Sequence, residues 1–190
     1  GVHIGGYGSD IDKHLQGLIQ KILDETSIPR LRLGSLEPWD LSDTFFELFG
    51  NPRMMPHLHL PLQSGSDVVL RKMARRCQTT DFEKLITLAR KEVADFNLTT
   101  DVIVGFPGET DYEWQQSLSY IERIGFSHLH IFPYSRRSGT RAAAMSDQIA
   151  GTMIRDRCTQ LHTLATQMKQ EYMTQFIGLK VPVFLIRKLP

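Results

Sequence analysis

An α/β fold built on parallel strands follows from three features of the sequence. Strand-like and helix-like stretches alternate five times along the chain, and each glycine- or polar-rich loop comes directly after a strand. The clearest unit, LTTDVIVGFPGETD from Leu98 to Asp111, runs strand, glycine loop and helix start without a break. Parallel neighbours need crossovers, which the intervening helices supply. All five loops then fall at the C-terminal ends of the strands, the edge where barrels and open α/β sheets bind ligands. Periodicity alone does not distinguish a closed barrel from an open sheet.

The elements read in order as follows. Val2–Ile4 is a short apolar strand closing in Gly5-Gly6-Tyr7-Gly8. Ser9 or Asp10 can cap a helix from about Ile11 to Thr26, with Leu15, Leu18, Ile19 and Ile22 on one face. Pro29 stops it, and Leu31–Leu33 forms the next strand before the loop GSLEP, 34–38. A short helix carries Phe45, Phe46, Leu48 and Phe49. His57–Leu60 is the third strand, followed by PLQSGSD, a helix near Val68–Ala74 and a basic corner at Arg75-Arg76. Thr80 with Glu83 has capping-box spacing and opens a helix to about Asp95. Leu98–Val104 suits a strand buried on both faces. Its one acid, Asp101, must either join an internal polar network or touch a ligand. Gly105 and Gly108 allow a sharp turn, and Thr110 with Glu113 caps a helix to Gly125. His128–Phe132 is the fifth strand, ending in PYSRRSGT. One long helix spans about Ser146–Ile177, and Lys180–Arg187 is a fresh strand.

Composition narrows the class less sharply. The 190 residues can bury a substantial core, and a formal charge of +1 favours no particular partner. Two distant cysteines, Cys77 and Cys158, point to a reducing, cytoplasmic setting and not to a disulfide scaffold. No apolar run is long enough to span a bilayer, so no membrane partner is expected.

Six blocks then carry a specific likeness: GVHIGGYG at 1–8, LGSLEP at 33–38, HLHLPLQSGSD at 57–67, LRKMARR at 70–76, TTDVIVGFPGET at 99–110 and HIFPYSRRSGTRAA at 130–143. In these blocks and their order the chain resembles the radical S-adenosylmethionine domain of the methylthiotransferase family, which thiomethylates tRNA adenosines or a ribosomal protein. GVHIGGYG and LEPWD look most like the members acting on N6-threonylcarbamoyladenosine in tRNA; the alternatives are isopentenyladenosine tRNA and a ribosomal aspartate. The resemblance implies a partial TIM-like (β/α) barrel of the radical SAM type, of which residues 1–178 supply the last five βα units and lack the first. Residues 179–190 would begin a TRAM-like RNA-binding domain. The family's CxxxCxxC loop, which ligates a 4Fe–4S cluster, has no counterpart at Cys77 or Cys158, nor is the family's N-terminal cluster domain represented. The resemblance thus implies a fragment that binds and orients without electron transfer, inactive alone, with tRNA and S-adenosylmethionine as partners. A first strand missing its neighbour could pair with another copy.

S-adenosylmethionine offers a carboxylate, an ammonium, a ribose diol and an adenine, and its site needs matching groups. Arg75 can hold the carboxylate with two hydrogen bonds; a solvated arginine is the plainer alternative. Glu37 can accept from the ribose or amine. Gln63 and Ser64 offer neutral contacts, or merely form a turn. Gly105 and the Phe132–Tyr134 stretch can present backbone and aromatic surface to the adenine, although packing alone would explain Phe132. Asp101 completes the candidate set, with no metal ligands included.

Two rival readings remain. His57 with His59, and His128 with His130, lie two apart on strands, so each pair shares a face and could bind a divalent metal in a hydrolase. Alternatively Arg71, Lys72, Arg75, Arg76, Arg136, Arg137 and Arg141 fall in two loops on one edge and could track phosphates in a non-catalytic RNA-binding module.

Overall fold

The computed structural model describes residues 4–181. Strands β1 (His57–His59), β2 (Asn97–Val104) and β3 (His128–Pro133) form one parallel sheet in that order. His59 pairs with Thr99, Thr99 with His128, and Asp101 with His130. Helices α2 (Asp67–Lys72) and α3 (Thr79–Glu92) connect β1 to β2, and α4 (Asp111–Ile124) connects β2 to β3. Helix α1 (Leu15–Glu25) precedes the sheet. The short α5 (Arg141–Ala144) and the long α6 (Gly151–Thr174) follow it. This is the α/β, parallel, partial-barrel architecture expected from the sequence.

Burial along β2 alternates residue by residue. Leu98, Val102 and Val104 are buried with Leu58, Leu60 and Leu129 against Phe82, Ile86, Trp114, Ile121 and Phe126. Each such aliphatic side chain stabilises the fold by roughly 1.5–3 kcal/mol. Thr100 is the one polar residue on this face of β2. Its hydroxyl donates to Leu60 O at 2.6 Å and accepts from Leu62 N at 2.8 Å, extending the β1–β2 ladder past the end of the strand. The other face carries Thr99, Asp101 and Ile103 and is only partly covered. The expectation of a strand buried on both faces is therefore corrected: helices cover one face, and polar side chains occupy the other.

Several local expectations also shift. The described part of the first strand, Ile4, lies in a 3₁₀ turn (Ile4–Gly6), while residues 1–3 and most of the final strand, with the self-pairing edge proposed for the former, lie outside the described residues. Helix α1 begins at Leu15, because Asp12 has a φ of +52° and breaks the first turn. The Leu31–Leu33 strand reduces to isolated parallel bridges, Leu31 to Met54 and Ser35 to His59. The stretch around Phe45–Phe49 is 3₁₀ (Asp43–Gly50). The Thr80–Glu83 capping box does not form; α3 starts at Thr79, whose amide and hydroxyl donate to the Asp67 carboxylate at 2.8 and 3.1 Å. The Thr110–Glu113 box forms as expected, and Gly125, with φ +67°, ends α4. The long helix starts at Gly151, after the separate α5.

One ion pair ties α6 to the glycine loop. Arg157 and Glu109 are each only 2% exposed. Arg157 donates to Glu109 Oε2 at 2.9 Å, to Glu109 O at 3.1 Å and to Asp111 Oδ1 at 2.7 Å. Glu109 Oε2 also accepts from Gly105 N at 3.0 Å. Burial pushes the Glu109 carboxyl up, while the Gly105 amide and Arg157 pull it down. Replacing Arg157 by alanine leaves this carboxylate buried without its cation, so Arg157→Ala should cost about 3–5 kcal/mol in a urea titration. The double variant Arg157→Met/Glu109→Leu, with no buried charge left over, should recover most of that loss.

Candidate functional site

The C-terminal ends of β2 and β3, with the segment after β1, enclose a cavity of about 580 Å³. Gln63, Asp101, Ile103, Phe106, Phe132 and Tyr134 line it. Four of the residues proposed from sequence therefore converge: Gln63, Asp101, Phe132 and Tyr134. Gln63 adopts φ +73°, a costly conformation for a non-glycine residue. It is held there by bonds from its amide to Asp101 O (2.8 Å) and from the Ile103 amide to its carbonyl (2.9 Å). Phe132 is 50% exposed, so packing does not account for it. Tyr134 packs edge-on against Phe106 at 5.5 Å, and its buried hydroxyl has no protein partner.

The remaining candidates lie elsewhere. Arg75 donates to Glu37 at 3.2 Å and to Pro61 O at 3.2 Å, with its guanidinium 5.1 Å from the Trp39 ring centre. Arg75 and Glu37 thus hold each other at the end of β1, on the same rim but outside the cavity lining. Ser64 does not line the cavity: it is buried against Ser117 (3.1 Å) and accepts from the Ser66 amide. Gly105 does not line it either. Its φ is +78°, a Cβ there would collide with Ile154 of α6, and Glu109 takes its amide. This glycine serves the α6 contact and lies outside the cavity lining.

The partly covered face of the sheet carries a histidine cluster. Asp101 Oδ1 lies 3.2 Å from His59 Nε2 and 3.0 Å from His130 Nδ1. The His59 and His130 rings stack at 5.2 Å, and His128 meets His130 edge-on at 5.1 Å. Thr99 Oγ1 lies 2.9 Å from His59 Nδ1 and 3.1 Å from His57 Nε2, and Arg32 Nη2 is 3.1 Å from that same nitrogen. Burial, then Arg32 and His59, lower the His57 pKa to about 4. The sequence pairs therefore combine differently from expectation: His59 joins His130 across strands, with Asp101 between them.

Cys77 and Cys158 are both free thiols; burial pushes the Cys77 thiol up to about 11 and Cys158 upward as well. Of the basic residues, Arg71, Lys72, Arg76, Arg136, Arg137 and Arg141 are exposed. Lys72 reaches the Gly108 carbonyl, and Arg136 donates to Ala143 O at 2.9 Å. Among the described residues no helix is long and apolar enough to cross a membrane.

Parallel strands whose following loops share one rim define a barrel-type α/β domain. The same fold is found in coproporphyrinogen III oxidase (HemN) from Escherichia coli, with a TM-score of 0.65 and 15% identity over 80% of this chain and 37% of that one. It recurs in the radical S-adenosylmethionine methyltransferase TsrM from Kitasatospora setae, at 0.55 and 17% over 68% and 26%. The sequence profile of the Radical SAM superfamily matches residues 1–121, and the chain belongs to that superfamily. Membership implies S-adenosylmethionine and 4Fe–4S chemistry for the family. A threonylcarbamoyladenosine tRNA methylthiotransferase, MtaB, of Thermotoga maritima is 38% identical over 94% of this chain and 41% of its own length. Its Bacillus subtilis counterpart is 36% identical over 93% and 40%. A tRNA-2-methylthio-N(6)-dimethylallyladenosine synthase of Staphylococcus saprophyticus is 34% identical over 96% and 36%. The chain thus spans about two fifths of the length of these relatives.

The His57 shift has a measurable consequence. Its pKa is lower folded (about 4) than its ordinary 6.5, so between those values the unfolded chain binds more protons. Acid therefore destabilises the fold through that window, by up to about 1.4 kcal/mol per pH unit from this group. Urea midpoints should fall from pH 6.5 to 4, and the His57→Gln variant should lose less stability across the same range.

Proposed function

We propose that this chain forms the S-adenosylmethionine-holding barrel of a cytoplasmic tRNA methylthiotransferase acting on N6-threonylcarbamoyladenosine. The observation that carries this reading is 38% identity over 94% of the chain to a relative named for that activity. Residues 1–178 would be the barrel and 179–190 the start of a TRAM-like domain. A dimethylallyladenosine substrate is the second reading, favoured by 34% identity over 96% of the chain to a synthase of that type.

When bound, S-adenosylmethionine supplies both the deoxyadenosyl and the methyl groups. The chain's own contribution is to hold and orient it. The exposed Phe132 ring offers a stacking face for the adenine, and the unpartnered Tyr134 hydroxyl can bond the base or ribose. Gln63, fixed by its backbone bonds, adds a neutral amide at the cavity mouth. Arg75, held by Glu37 and Trp39, can exchange its partner for the cofactor carboxylate. The exposed arginines around α2 and after β3 would track the phosphates of an anticodon stem-loop.

The deciding experiment expresses the complete product of the gene carrying this chain in a bacterium lacking its own methylthiotransferases. Nucleosides from its tRNA are then resolved by mass spectrometry. A methylthio group on threonylcarbamoyladenosine is expected; the group on dimethylallyladenosine alone would replace the first reading by the second, and neither product would end both. Phe132→Ala should weaken S-adenosylmethionine binding by calorimetry about tenfold, the worth of one lost stacking contact of about 1.4 kcal/mol. Arg137→Ala/Arg141→Ala should flatten the slope of log affinity for RNA against log salt by about 1–2.

A further inference from the structure

We propose that His59, Asp101 and His130 form a binding site for one divalent first-row transition metal ion of the zinc class, beside the cavity that Asp101 lines. This inference stands independently of the substrate reading above.

Geometry gives the first argument. The three donor atoms come from three adjacent strands, on one face, and all lie within 4.8 Å of one another. Ligands bound to a tetrahedral zinc-class ion at about 2.0–2.2 Å sit roughly 3.3–3.6 Å apart, a few tenths of an ångström from the separations here. Asp101 Oδ1 stands 3.2 Å from His59 Nε2 and 3.0 Å from His130 Nδ1. Two imidazoles and a carboxylate are a donor set that such ions favour.

The surrounding hydrogen bonds are compatible with metal ligation. The Arg32 guanidinium can only donate, so the His57 Nε2 facing it at 3.1 Å carries no proton. The Thr99 hydroxyl lies 3.1 Å from that nitrogen, whose single lone pair already meets Arg32, and 2.9 Å from His59 Nδ1. In the tautomer that donates from Nδ1 to Thr99, His59 Nε2 turns a lone pair toward the Asp101 oxygen, and a metal ion between the two would bond both. A metal-bound imidazole ordinarily donates its other N–H to an oxygen acceptor, and Thr99 occupies that place for His59.

Asp101 also lines the cavity, so three protein ligands leave the remaining coordination positions to water or to a guest. That is the arrangement of a reactive site, whereas a purely structural one is closed by four protein ligands.

The test uses the 190-residue chain freed of metal by chelator and titrated with Co²⁺ and Zn²⁺. One equivalent of Co²⁺ should bind with visible absorption bands and be displaced by Zn²⁺. His59→Gln, Asp101→Asn and His130→Gln should each weaken binding at least tenfold, and Thr99→Val, which removes the acceptor behind His59, about tenfold. His14→Gln, away from the cluster, should change nothing. Absence of stoichiometric uptake, or uptake undiminished in His59→Gln/His130→Gln, overturns the proposal. Should a variant lose its circular dichroism, ¹⁵N imidazole spectra of the parent chain answer instead. Zn²⁺ must shift His59 Nε2 and His130 Nδ1. A His59 ring protonated on both nitrogens and indifferent to Zn²⁺ overturns the proposal, since a second proton then does what the metal was inferred to do.

Discussion

The buried contact between Arg157 and Glu109 is the constraint on which the working rim depends. Glu109 sits in the loop between β2 and α4, and its carboxylate holds the Gly105 amide and the Arg157 guanidinium at once. Arg157 reaches on to Asp111 at the start of α4 and lies over the Trp114 ring at 5.7 Å. Strand end, glycine turn, helix start and α6 are thereby fixed through one residue. Gly105 can turn with Ile154 packed where its Cβ would be only because α6 is held against it. Phe106 follows directly and packs on Tyr134, whose amide bonds back to Val104 O at 2.8 Å. A buried pair of this kind adds little net stability over an apolar pair of the same size. Its consequence here is positional: the guanidinium's fixed fork sets where α6 stands relative to the loop.

What the sequence discloses depends on how local the deciding contact is. Thr110 and Glu113 satisfy each other within one helical turn, so their spacing suffices. Thr80 and Glu83 have the same spacing and fail, because Asp67, thirteen residues before Thr80, captures the Thr79 amide and moves the helix start. Leu98–Val104 reads as a uniformly buried run because threonine, valine and isoleucine suit either face. Only its neighbours decide, and His59 and His130 make one side polar. Leu31–Leu33 has strand composition yet reaches its neighbours only through isolated bridges.

The site divides in the same way. Gln63, Asp101, Phe132 and Tyr134 are legible as residues at strand ends, where the topology alone brings them to one cavity. Ser64 and Gly105 belong to the same loops but turn inward, toward Ser117 and Ile154, and no pattern within a loop gives that direction. Arg157 also carries a signal in the sequence. It stands in the stripe of Ile154, Leu161, Leu164 and Met168, whose spacing faces the core, and a cation in such a stripe requires a buried acid. Glu109, beside a glycine turn, was the acid available.

The register of the sheet then determines which chemistry the polar face can hold. With His59 opposite Thr99 and Asp101 opposite His130, polar side chains meet across three strands. Arg32, which cannot accept, donates to His57 at one end of this row, and the Thr99 hydroxyl stands between His57 and His59. A shift of one residue in the β1–β2 pairing would put Leu58 or Leu60 in place of His59 and break the row at Thr99. The apolar face opposes that slip, since it would carry Leu58 and Leu60 out of the core. The packing that holds the fold together is therefore also what places His59 Nε2 beside Asp101.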